Sequence, residues 1–174
     1  MTDLPVPIEI DSATGTWSVD GQPMLLLPRH FFVFIQQAME RRVGIEAAKA
    51  VYHDASHDAA RLWCEREAAT HGLDGIAVFR HYLARMSSRG YGQLTIEAID
   101  AASGTASVRL DHSAFVAEYG RSAGRKVCYM FPPAFLGALA FLAEREGNKR
   151  RLVAEETHCA ADGAPHCRFE VRPG

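Results

Sequence analysis

The sequence predicts an α+β domain in which helices and antiparallel strands are segregated along the chain. Apolar residues recur at three- and four-residue spacing through three successive stretches between residues 28 and 87. Strict alternation then takes over on either side of the turn DAASG, residues 100–104. A fourth helical stretch and a second alternating pair follow. The expected order is three N-terminal helices, an antiparallel hairpin, a helix and a C-terminal antiparallel hairpin, with the sheet packed against the helices.

Residues 1–28 are rich in proline and turn formers, with TGTW at 14–17 and VDGQP at 19–23. They read as an N-terminal arm with one short hairpin turning at Asp20-Gly21. The arm carries Trp17 and Met24-Leu25-Leu26-Leu27 on too little chain for a core of its own, so it should lie across the main domain or its dimer mate. Pro28 opens the first helix, HFFVFIQQAMERRVG, with Phe31, Phe34, Ile35 and Ala38 as its apolar stripe and Gly44 as its stop. The second helix should cover 46–70, burying Ala47, Ala50, Val51, Ala55, Ala59, Leu62 and Trp63. The third should cover 75–87, with Ile76, Phe79, Leu83 and Met86 inward. Leu94, Ile96 and Ala98 share one strand face, and Ala106, Val108 and Leu110 share the next. Residues 113–120 form a short helical or irregular segment, and the last helix runs from about 126 to 145. Residues 151–159 and 167–172 pair around Asp162-Gly163. Residues 29–174 are thus expected to be a single domain.

At 174 residues, 48% hydrophobic and 23% charged, the chain is an ordinary globular protein able to bury roughly 70% of its unfolded surface. Net charge is −2, and the one basic cluster, Lys149-Arg150-Arg151, is flanked by glutamates. No basic face for nucleic acid is evident. The N-terminus lacks the basic and apolar regions of a signal peptide. The apolar run at 131–143 is too short for a bilayer and contains two prolines. The expected location is the cytosol, where thiols stay reduced.

That compartment bears on EETHCAADGAPHC, residues 155–167, in which two cysteines stand eight residues apart with Glu156 three before the first. Thiolates and a carboxylate suit Zn²⁺, which takes four donors tetrahedrally. Cys159, Cys167 and Glu156 offer three, and Cys128, opening the last helix, is placed to offer a fourth. A buried thiol pair and a disulfide are the alternatives. Residues three apart on a flat strand face opposite sides, so Glu156 and Cys159 can share an ion only across a bend or bulge. On a straight strand Glu155 is the substitute, with His158 and His166 adjacent. Cys64, mid-helix beside Trp63, reads as an inert buried thiol.

The ending EETHCAADGAPHCRF, with CYMFPPAFLGALAF before it, resembles the 4-vinyl reductase domain family. Its members include sensory domains of phenol- and xylene-responsive transcriptional activators, and its fold is similar to that of TRAPP vesicle-tethering subunits. The resemblance implies a structural zinc held by Cys128, Glu156, Cys159 and Cys167, an internal pocket for a small apolar or aromatic ligand, and a homodimer. It covers residues 30–174 in element order and 126–171 in motif. The chain departs from the phenol sensors in a longer stretch before Glu156, with EREGNKRR as the insertion. PPAFLGALA also replaces a Gly- and Ser-rich run after the first cysteine. An attached ATPase or DNA-binding domain, as in those activators, is not expected.

Small residues on the last helix, Ala134, Gly137, Ala138 and Ala140, leave room beside it either for a cavity or for another helix. A cavity would be walled by Phe79, Leu83, Phe131 and Phe135. His81 reads as a polar anchor in that pocket or as a surface histidine. His53 and His57 in HDASHDAA lie one turn apart without a third ligand and read as a polar face. Arg121 and Arg125 frame a loop that could meet an anion. No GxSxG, Walker A or GxGxxG motif occurs, and no catalytic pair is apparent. The leading expectation is a zinc-stabilised small-molecule-binding domain, sensory or carrier-like, without nucleic-acid or membrane partners. The alternatives are an accessory subunit or reductase-related enzyme of a catabolic or pigment pathway, and a scaffold with a vestigial pocket.

Overall fold

A computed structural model describes residues 7–100, 103–147 and 151–174. Part of the DAASG turn (101–102) and Lys149 and Arg150 of the basic cluster lie outside the described residues, as do the first six. Strands β1 (Ile8–Asp11), β2 (Thr16–Val19) and β3 (Gln22–Met24) form a small antiparallel sheet. The arm therefore holds three strands rather than one hairpin. Its second turn is the one expected, with Asp20 at φ 53° and Gly21 at φ 73°, the left-handed pair that a two-residue hairpin requires. Helices α1 (Arg29–Val43), α2 (Ile45–His71) and α3 (Ile76–Ser88) follow, then strands β4 (Gln93–Asp100) and β5 (Thr105–Asp111). Helix α4 (Ala114–Tyr119), helix α5 (Phe131–Arg145) and strands β6 (Leu152–His158) and β7 (Cys167–Pro173) complete the chain. The main sheet is antiparallel throughout, in the order β4-β5-β7-β6. The α+β order read from the sequence is the observed one.

Two helices turn a different face inward from the one expected. On α1 the buried residues are Val33 and Gln36, while Phe31, Phe34 and Ile35 are 47%, 52% and 39% exposed. Gln36 is held inside because its amide donates to the Val127 carbonyl at 2.9 Å and to Tyr119 Oη at 3.1 Å. On α2 the buried set is Ala48, Tyr52, Ala60, Trp63, Cys64, Glu67 and Ala68. Of the expected stripe only Trp63 is buried; Val51 and Leu62 face outward. Alanines ring this helix on every side, so they cannot specify a face. Tyr52, Trp63 and the partners of Glu67 do. Helix α3 is as expected, with Phe79, Leu83 and Met86 buried.

Strand β4 also departs from strict alternation. A bulge at Glu97, between the pairs Ile96–Val108 and Ala98–Ser107, turns Ala98 outward and brings Ile99 to the packed face. Helix α5 starts at Phe131, later than expected, because residues 126–130 form an irregular lead-in whose Cys128 carbonyl accepts from the Phe131 N–H at 3.1 Å.

The core lies between α5, α3 and the sheet. Phe79, Phe115, Phe131, Phe135 and Phe169 are all essentially fully buried. Their rings meet at 5.4–6.2 Å, with Phe79 edge-on to Phe135 and Phe135 edge-on to Phe169. Each such side chain contributes about 1.5–3 kcal/mol on burial, and the edge-to-face contacts add about 0.5–1.5 kcal/mol per pair.

Candidate functional site

Cys128 sits in the lead-in to α5, Glu156 on β6, Cys159 just past the end of β6, and Cys167 at the start of β7. The one-residue bulge needed to bring Glu156 and Cys159 to one side is present. The β6–β7 register shifts between Glu156–Phe169 and His158–Arg168, with Thr157 as the extra residue. Beyond it the chain turns tightly, the Cys159 carbonyl accepting from the N–H groups of Asp162 (3.0 Å) and Ala164 (3.2 Å). The four ligand atoms all lie within 4.8 Å of one another, on side chains that are buried. Glu155, on the straight-strand parity, points outward at 3.8 Å from Arg172. His158 is exposed, and His166 is half-buried outside the cluster.

The donor arrangement fits a tetrahedral ion. Cys167 Sγ stands 3.8 Å from both Cys128 Sγ and Cys159 Sγ. Two thiolates about 2.3 Å from one tetrahedral ion stand about 3.8 Å apart. Glu156 accepts from the Cys128 N–H at 3.0 Å through one carboxylate oxygen. Its other oxygen is buried with no hydrogen-bond partner, a costly state unless a cation or proton meets it. The Ala160 N–H donates to Cys167 Sγ at 3.3 Å, and Ser113 Oγ, which caps α4, lies 3.2 Å from Cys128 Sγ. Such outer contacts orient thiolate ligands. Burial pushes the Cys128 thiol well above its usual range. Burial, then the neighbouring Cys159, pushes Glu156 up to about 9. Hydrogen bonds from Cys128 and Cys167 draw Cys159 down. Burial thus disfavours charging all four donors together, and a divalent cation would take the place of their protons. Cys64 stands apart, fully buried, its thiol raised to about 12 by desolvation.

The space beside Gly137 is occupied. A Cβ built on Gly137 would lie 2.0 Å from the His57 carbonyl oxygen, so the small residues of α5 seat the backbone of α2. Phe79, Phe131 and Phe135 fill the interior, Leu83 packs with them, and His81 faces Glu67 at 2.7 Å. None of these residues lines the apolar cavity seen among the described residues. The apolar cavity lies instead beneath the arm, with a volume of about 310 Å³, between β2, β3 and the residues after them on one side and α1, the end of α3 and the start of α4 on the other. Trp17, Met24, Leu27, Phe32 and Tyr91 wall it, and Arg89 is among the polar residues that line it. Arg89 stacks on Trp63 at 4.8 Å, and burial lowers its pKa. Its Nε is buried without a hydrogen-bond partner. The arm thus lies across the domain, as its composition required, but its role as a wall was not visible from residue spacing. Arg121 donates to the Ala164 carbonyl at 3.0 Å and Arg125 pairs with Glu40 at 2.6 Å, so both are engaged within the chain. His53 and His57 are stacked on the surface of α2, each beside its own aspartate.

Residues 2–97, the arm through β4, match the family described as domain of unknown function DUF5943. The chain belongs to that family. No curated protein matches it. Among solved structures it is similar to the phenol-responsive sensory domain of the transcription activator PoxR, crystallised with phenol. That match has a TM-score of 0.78 at 17% identity and covers 95% of this chain and 84% of that one. It is also similar to a vinyl-4-reductase family protein from Methanocaldococcus jannaschii, with a TM-score of 0.55 at 13% identity over 87% of this chain and 84% of that one. A trafficking protein particle complex subunit 3 from Naegleria fowleri, covalently bound to palmitic acid, matches with a TM-score of 0.54 at 11% identity over 84% and 95%. At these identities the likeness is one of fold, and it is the fold that the C-terminal motif resembled. Among the described residues no helix is long and apolar enough to cross a membrane.

Proposed function

We propose that this is a small-molecule-binding domain, stiffened by a structural zinc, that takes a ligand with an apolar or aromatic body and an acidic group. The observation that carries the reading is the apolar cavity of about 310 Å³ beneath the arm, with Arg89, whose Nε has no hydrogen-bond partner, among its lining residues. Cavities of this size, apolar with one or two placed polar groups, are the usual small-molecule sites. A partly buried guanidinium whose Nε lacks a hydrogen-bond partner gains from an anion that reaches it. The zinc would be held by Cys128, Glu156, Cys159 and Cys167. Four protein donors leave no open position, so its contribution is to fasten the lead-in of α5 to the β6–β7 hairpin. The named ligands of the similar structures, phenol and palmitic acid, are consistent with an apolar occupant. The outward Phe31, Phe34 and Ile35, continuous in sequence with exposed Leu25 and Leu26, favour a second copy of the chain as partner.

The alternative of a scaffold with a vestigial pocket has its own support, since the space beside the last helix, read as either a cavity or a helix contact, is taken by the backbone of α2. Native mass spectrometry of protein purified without added metal or ligand separates the two. The binding reading expects at least one zinc per chain and a bound small organic acid. The variant Ser88→Trp, which fills the cavity from the end of α3, should lose the acid and keep the zinc. Protein with no bound acid, whose melting is unmoved by phenol, benzoate or palmitate, would establish the scaffold.

A further inference from the structure

A second cluster of metal-binding side chains lies where the arm meets the helices, remote in sequence from the cysteines. Asp20 belongs to the β2–β3 turn, Glu67 and His71 stand one helical turn apart at the end of α2, and His81 lies on α3. Their ligand atoms, two imidazole nitrogens and two carboxylate oxygens, are all within 4.8 Å of one another. We propose that Asp20, Glu67, His71 and His81 form a site for a divalent transition-metal ion that tacks the arm onto α2 and α3.

The charges and geometry support this. The Glu67 side chain is fully buried and that of Asp20 is 5% exposed. Glu67 meets the Gln22 amide through one oxygen and the two histidines through the other, with no lysine or arginine among these contacts. Arg85, 2.7 Å from Asp20, is the cation that the structure shows paired with these carboxylates. Two buried carboxylates need more compensation than one guanidinium gives, and a divalent ion supplies it. Donors about 2.0–2.1 Å from a tetrahedral ion stand about 3.3 Å apart. His71 Nε2 lies 3.4 Å from Glu67 Oε2 and 3.5 Å from Asp20 Oδ1. The His81–Glu67 pair, at 2.7 Å, is at hydrogen-bond distance and has to open slightly to admit the ion.

The outer contacts are those of a built site. Gln22 and Arg85 hold the carboxylates, and Trp63 stacks on His81 with centroids 5.6 Å apart and planes 17° apart. The His71 side chain is 31% exposed and provides the solvent side. Two imidazoles and two carboxylates suit Zn²⁺, Co²⁺ or Fe²⁺ better than Mg²⁺ or Ca²⁺. The turn that carries Asp20 joins the strands whose Val19 and Met24 line the cavity, so an ion here would hold the arm in place.

Protein already loaded with Zn²⁺ at the cysteines should be titrated with Co²⁺. The expected result is one further equivalent per chain, giving weak visible d–d bands without thiolate charge-transfer absorption and slowing proteolysis of the arm. Asp20→Asn keeps the left-handed turn that Asn tolerates, and His71→Ala alters a partly exposed helix end. Each should weaken Co²⁺ binding at least tenfold, with unchanged circular dichroism in the metal-free state, whereas His53→Ala should not. Equal Co²⁺ affinity in wild type, D20N and H71A, or loss of binding only in H53A, would overturn the proposal. The uptake measurement is indifferent to whether the cavity holds a ligand. If D20N and H71A both fail to fold, Co²⁺ difference spectra of wild type still decide, because absence of histidine-ligated d–d bands would overturn it as well.

Discussion

Cys167 shows how much one side chain holds in this fold. It touches two other thiols, receives the Ala160 N–H, and starts the strand at the centre of the C-terminal hairpin. Replacing Cys167 with serine removes a thiolate donor and shortens the reach to any shared ion. A zinc held here would be bound only by the folded chain, so its loss would be a loss of folding free energy. About 4 kcal/mol corresponds to a fall in Tm of about 10 °C in a chain of this size. Metal analysis and calorimetry of Cys167→Ser should therefore show one zinc per chain fewer than wild type and at least that fall, and a chelator should reproduce it in wild type. A variant with unchanged zinc content and Tm would remove Cys167 from the ligand set. The four residue types and their spacing could be read directly, because thiols and carboxylates carry chemistry wherever they fall. The choice of Glu156 over Glu155 required the bulge at Thr157, a matter of strand register against β7 that no local pattern encodes.

At the scale of elements, the packing of α2 on α5 is decided by a glycine. The His57 carbonyl oxygen occupies the place where a Cβ on Gly137 would be, so Gly137→Ala must push the helices apart. Overpacking of this kind costs about 1–3 kcal/mol, and contact with backbone, which cannot rotate away, puts the expectation near the upper end. Urea unfolding of Gly137→Ala should show a midpoint shift of that size with zinc content unchanged. A neutral substitution would mean that the two helices can slide. The small-residue stripe itself was plain in the sequence, but whether a ligand or a helix backbone lay against it was not. The inward faces of α1 and α2 were misread for a related reason. Phenylalanines on α1 point outward while Gln36 and Glu67 are buried, and buried polar residues are intelligible only through partners distant in sequence: Val127 and Tyr119 for the first, Gln22 and His81 for the second.

For the whole molecule the main consequence of that inversion is an apolar surface. Phe31, Phe34 and Ile35 on α1, with Leu25 and Leu26 before them, present bulky side chains to solvent on the same part of the chain that borders the cavity. Covering this surface with a second copy would bury the aromatic side chains that dominate interface energetics. Sedimentation of wild type at micromolar concentration should give a dimer, and Phe34→Glu should give a folded monomer. A wild-type monomer would leave the surface for another partner. Dimerisation that survives Phe34→Glu would move the interface elsewhere.

What the sequence by itself determined is the order and kind of nearly every element, the turn at Asp20-Gly21, and the cysteine and glutamate donors from which the cluster at the C-terminal hairpin is drawn. Each of these depends on local periodicity, turn stereochemistry or intrinsic side-chain chemistry, all carried by neighbouring residues. Tertiary structure alone decided where the open space lies. Five phenylalanines from α3, α4, α5 and β7 close the interior, and the arm, expected to lie across the domain or its dimer mate, creates a cavity by crossing α1 and the end of α3. It also decided that Asp20, Glu67, His71 and His81 converge. A void or a cluster is a relation among surfaces brought together from distant parts of the chain, and that relation exists only once the chain has packed.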